Sequence, residues 1–100
     1  MAYQIIVKKR FTSKVTKLLK YLEKEWGKTV ADSFILTLEE RIDTLSQQPF
    51  IGSQAGIKNV RTTLISKHNR LYYRVKGNQI EIITLFDTRM NPNRNRYAKE

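Results

Sequence analysis

The hydrophobic period of this chain changes near its middle, and that change limits the folds open to it. Phe11, Val15, Leu18, Leu19, Leu22 and Trp26 recur at steps of four, three and one, forming a single apolar stripe along a helix. A second stripe follows at Val30, Phe34, Leu38, Ile42 and Leu45, with Ile35 beside it. Gly27 stands between the stripes, where it stops the first helix. Thr12 or Ser13 is the expected cap of helix one and Thr29 of helix two. So short a break predicts an antiparallel helical hairpin. Beyond Gln47-Gln48-Pro49, with Gly52 and Gly56 in one long loop, the apolar residues alternate. Val60–Ser66, Arg70–Val75 and Gln79–Phe86 read as three strands joined by the turns Lys67-His68-Asn69 and Lys76-Gly77-Asn78. Tyr3–Lys8 is a β-branched run ahead of the first helix and reads as a further strand. The expected order is β-α-α-β-β-β in one domain over residues 1–100, with residues 87–100 a basic C-terminal tail. This is an α+β fold in which the hairpin covers one face of a mainly antiparallel sheet. Trp26 and Phe34, on the stripes, are expected in the core.

Charge narrows the function. The chain has 19 Lys and Arg against 9 Asp and Glu, a formal net charge of +10. Residues 1–50 carry a balance of +3 and residues 51–100 a balance of +7. Such a protein suits a polyanionic or acidic partner. The absence of cysteine removes disulfides, a thiol nucleophile and thiolate ligands together, and fits a cytoplasmic setting. With one histidine, His68, in a turn, no metal site and no cofactor are expected. No apolar run reaches the roughly 20 residues of a membrane span, and the charges of MAYQIIVKKR follow its apolar stretch, whereas a signal peptide has them first. Gly27-Lys28-Thr29 lacks the earlier glycine of a phosphate-binding loop, since Leu22 stands there. Glu39, Glu40 and Asp43 read as a solvated helix face.

Two arrangements of the basic residues carry chemistry. On the middle one of the three later strands, Leu71, Tyr73 and Val75 share one face, and Arg70, Tyr72 and Arg74 the other. Arginines flanking a tyrosine on an open sheet face hold phosphates and stack a base. Lys58, Lys67, Arg94 and Arg96 extend the candidate nucleic-acid-binding set. Ribonuclease chemistry without histidine is also open to such a chain. Lys and Tyr, with ordinary pKa values of about 10.4 and 10, are lowered by neighbouring cations and then serve as proton carriers.

The ordered set of Trp26-Gly27, Leu45 leading to Pro49 and Gly52, Val60-Arg61 with Leu64, and Arg70-Leu-Tyr-Tyr-Arg-Val75 before an apolar strand resembles the RelE/ParE superfamily of bacterial toxins. The resemblance runs from about Tyr3 to Arg89. It implies the toxin of a type II toxin–antitoxin pair, of plasmid-stabilisation type, with a cognate antitoxin as partner. Its RelE-like branch cleaves mRNA on the ribosome with basic residues and a C-terminal tyrosine, which here implies Arg61, Arg70, Arg89 and Tyr97 as catalytic residues. Thr63 stands where that branch has its second basic position. The ParE-like branch inhibits DNA gyrase without catalysis, and the two long helices and Trp26-Gly27 look more like that branch. The residues lean towards the mRNA endonuclease, with the gyrase inhibitor and a non-toxic basic nucleic-acid-binding module as alternatives.

Overall fold

The computed structural model describes residues 2–87. Strand β1 (Gln4–Val7) leads into helix α1 (Lys9–Trp26) and helix α2 (Lys28–Gln47). Strands β2 (Ser53–Gln54), β3 (Val60–Ser66), β4 (Asn69–Lys76) and β5 (Gln79–Asp87) complete the described elements. The five strands form one sheet in the order β1-β5-β4-β3-β2. Only β1 and β5 pair in parallel, with Ile5 beside Ile80 and Val7 beside Ile82. The other pairings are antiparallel. The expected order of elements is therefore observed, with one addition: Ser53–Gln54, read as part of the long loop, forms a two-residue edge strand beside Arg61 and Thr62.

The two stripes do what their spacing requires. Phe11, Phe34, Leu38 and Leu45 are buried against Ile65, Leu71, Tyr73, Ile80, Ile82 and Leu85 of the sheet, with Val15, Leu18, Leu19 and Leu22 packed around them. Removing this apolar surface from water is the main stabilising contribution. Phe34 is buried as expected, whereas Trp26 departs from the core expectation at 64% exposed, and Val30 of the second stripe is 42% exposed. The stripes continue to the end of the hairpin, and these last members are left uncovered.

Helix caps also differ from the expected ones. Helix α1 starts at Lys9, with Lys8 as its cap and no side-chain capping bond, so neither Thr12 nor Ser13 caps it. Their place is taken by the geometry of the β1–α1 junction, where the Lys8 N–H donates to the Ile82 carbonyl at 3.3 Å. One residue, Gly27, ends α1 and begins α2, displacing Thr29 as the cap. Its N–H donates to the Glu23 carbonyl at 3.0 Å, and its carbonyl accepts from the Ala31 N–H at 3.3 Å. It does so at φ 98° and ψ 165°, a backbone region that side-chain-bearing residues avoid. Gly27→Ala is therefore expected to lower stability by about 1–2 kcal/mol in urea unfolding, although a methyl group there would touch nothing.

A bulge shapes the far face of the sheet, the one turned away from the helices. The β4–β5 register shifts between Tyr72 and Tyr73, so that Tyr73 faces Ile82 and Tyr72 faces Thr84, leaving Ile83 as an extra residue. The shift reverses the alternation. Ile80, Ile82 and Leu85 point to the helices, and Phe86 joins Val60 and Tyr72 in a second apolar cluster with Ala55, Ile57 and Ile83.

Candidate functional site

The sequence-predicted basic residues separate onto two faces. Arg61 pairs with Tyr73 across the β3–β4 ladder, and Arg70 pairs with Leu64. Directly opposite residues share a face. Tyr73 belongs to the core under the helices, so Arg61 lies on the helix face, and Arg70, on the other parity of β4, lies on the far face.

Arg61 is occupied structurally. Its Nη2 donates to the Phe50 carbonyl at 3.1 Å and to the Gly52 carbonyl, and its guanidinium carbon lies 5.3 Å from the centroid of the Phe50 ring. Its Nε is buried and has no hydrogen-bond partner among the described residues. Tyr73 holds the same loop from the next strand: its hydroxyl donates to the Pro49 carbonyl at 2.8 Å and accepts from the Gly52 N–H at 3.2 Å. Arg61 and Tyr73 together fasten residues 49–52 to the sheet.

Arg70 has more freedom. Its Nη1 reaches Thr62 Oγ1 at 3.4 Å, and it lines a cleft of about 270 Å³ with Arg41, Ile51, Gly52, Ser53, Thr62, Thr63 and Leu64. Arg41 of α2 was not anticipated from the sequence. It stands three residues after Leu38 and four before Leu45, on the helix face that carries the apolar stripe but among acidic neighbours in sequence, and the packing of α2 on β3 brings it to the sheet edge.

The expected open platform around Tyr72 is replaced by the second cluster, where Tyr72 is only 2% exposed and has no free ring face for a base. The loop carrying Ala55 and Ile57 covers this side of the sheet, which alternation within β4 could not reveal. Arg74 is engaged with Glu81 at 3.8 Å, and Glu81 also pairs with Lys8 at 3.3 Å. A carboxylate thus stands on the far face beside the arginines. Lys58 and Lys67 are exposed outside the strands' paired cores. Arg89, Arg94, Arg96 and Tyr97 lie outside the described residues. Among the described residues no group of three or more His, Cys, Asp or Glu is placed to hold a metal, and no helix is long and apolar enough to cross a membrane.

The helical layer has its own electrostatic division. Helix α1 carries six cations and two carboxylates, and α2 two cations and four carboxylates. Lys14 lies 5.7 Å from the centroid of Phe86. Burial against this surface, reinforced by Arg10 and Lys17, holds its ammonium below the usual lysine range. At the other end of α1, Leu22, Trp26, Val30 and Phe34 line a groove of about 500 Å³ that reaches His68 and Asn69 of the β3–β4 turn. The exposed apolar surface at the hairpin end is the kind that marks protein contacts.

The sequence model of the family described as ParE toxin of type II toxin-antitoxin system, parDE, matches residues 5–92. No curated protein gives a significant sequence match to this chain. Among solved structures, a chain of the chromosomal ParDE TA system from P. aeruginosa superposes with a TM-score of 0.77 at 17% identity, covering 86% of this chain and 96% of that one. The E. coli toxin RelE, as a mutant in the free state, gives 0.63 at 19% identity over 97% and 95% of the two chains. A chain of the E. coli DinJ-YafQ toxin-antitoxin complex gives 0.61 at 12% identity over 87% and 93%.

Proposed function

The chain belongs to the ParE toxin family of type II toxin–antitoxin systems, and on that premise we propose that it arrests growth by binding a protein target, DNA gyrase, and not by cutting mRNA. The likeness to the ParE branch is what supports gyrase as the target. A toxin of such a system has a cognate antitoxin as its counterpart.

The observation that carries the binding reading is the separation of Arg61 from Arg70. Metal-independent cleavage of RNA requires a base, an acid and charge stabilisation around one phosphate. Arg61 instead binds the Phe50 and Gly52 carbonyls on the helix face, while Arg70 is on the far face. The far face also holds a buried apolar cluster and the Glu81 carboxylate, both poor company for a developing phosphorane. The exposed Trp26 and Val30 at the hairpin end offer a surface suited to a protein target.

Induction of the gene is expected to arrest growth while the 5′ ends of translated mRNAs, followed by primer extension, stay unchanged through the onset of arrest. New cleavage ends that appear with the arrest would return support to the endonuclease reading.

A further inference from the structure

We propose that the exposed edge of β3 at Leu64 takes an extended acidic segment of a partner protein as an added strand, with two consecutive carboxylates clamped by Arg41 and Arg70. Three features meet there. The first is an unpaired stretch of backbone. Strand β2 opposes only Arg61 and Thr62. The Val60 carbonyl accepts from the Ala55 N–H at 2.8 Å, so Val60, Thr62 and Leu64 all present their peptide groups to the β2 side of the strand. At Leu64 the pairing with β2 has ended, and the residue is 42% exposed. Among the described residues its N–H and C=O are thus an unpaired donor–acceptor pair on a sheet edge, the element that strand addition uses.

The second feature is the charge. Arg41 and Arg70 line the cleft beside this edge, and no carboxylate lines it with them. Among the described residues neither guanidinium has an ion pair; Arg70 donates a hydrogen bond to Thr62 Oγ1. The third is placement. Arg70 shares the far face with Leu64, its direct ladder partner, whereas Arg41 approaches from α2 on the helix face. Successive side chains of a strand point to opposite faces. The residue opposite Leu64 therefore directs its side chain towards Arg70, and its chain neighbour directs one towards Arg41. Two adjacent acidic residues satisfy both guanidiniums in charge-assisted hydrogen bonds. Two acids separated by one residue satisfy only one. This inference does not depend on gyrase being the target.

The probe is a blocked hexapeptide with the order Thr-Val-Glu-Glu-Val-Thr, titrated into the full chain by calorimetry. Arg41→Ala and Arg70→Ala are each expected to weaken binding about fivefold, the upper range for one partly exposed ion pair. On the peptide side, which leaves the protein's folding untouched, separating the two acids by one threonine is expected to weaken binding about fivefold as well. N-methylation of the backbone nitrogens of both glutamates, one of which must face Leu64, is expected to abolish it. Equal binding of the separated-acid or the N-methylated peptide overturns the proposal. So does a single-stranded oligonucleotide that binds through both arginines while the hexapeptide does not, an outcome that would make the cleft a phosphate site.

Discussion

Gly52→Ala is expected to destabilise the protein by about 3 kcal/mol, lowering Tm by roughly 12–24 °C for a domain of this size. The reason is close approach. A methyl group at Gly52 would lie 2.6 Å from the Thr62 carbonyl oxygen and 2.6 Å from the Tyr73 hydroxyl. One of these is backbone in a paired strand, and the other is a buried hydroxyl bound to Pro49. Neither moves without breaking a hydrogen bond. The same change pushes away the Gly52 carbonyl that Arg61 holds, so the 49–52 loop and the short β2 behind it are expected to loosen together. Thermal unfolding followed by circular dichroism measures the loss.

Tyr73→Phe is the second large effect, about 2 kcal/mol. The hydroxyl satisfies two buried backbone groups, the Pro49 carbonyl and the Gly52 N–H. Its removal leaves both without their partner, and an unsatisfied buried polar group costs about 1–3 kcal/mol. The ring keeps its place in the core, so the fold is expected to persist with Tm lowered by roughly 8–16 °C. The two substitutions touch one cluster and are expected to be less than additive. Removing the hydroxyl clears one of the two obstacles to a methyl group at Gly52. An additive double variant would show that the Tyr73 hydroxyl is not what confines Gly52.

The fold was legible because its signals are periodic. The stripes from Phe11 to Leu45 need a partner surface on one side, and the alternation after Val60 supplies it. What escaped depends on where those elements end and on what covers the second side of the sheet. Trp26 and Val30 continue the stripes in phase, yet they fall at the hairpin end and remain exposed. Alternation separated Tyr72 from Tyr73 correctly, but the path of the loop through Ala55 and Ile57 decides that Tyr72 is buried. The bulge at Ile83, which sends Phe86 to the far face, arises from strand pairing and has no local mark in Gln79–Phe86.

The basic residues show the same limit in a sharper form. Charge along the chain identified Arg61 and Arg70 as candidates without showing that β3 and β4 would turn them to opposite faces. It also gave no sign of Arg41, which reaches the β3 edge only through the docking of α2. Among the described residues the cations thus serve different ends: one arginine fastens a loop, a second pairs with Glu81, two line a cleft at the sheet edge and six belong to α1.

The binding reading is tested most directly by adding the purified chain to DNA gyrase, ATP and relaxed plasmid and following supercoiling on a gel. The prediction is loss of supercoiling that deepens with toxin concentration, while mRNA on translating ribosomes given the same toxin stays intact. Full gyrase activity at high toxin excess, together with fresh cleavage of the ribosome-bound mRNA, would contradict it.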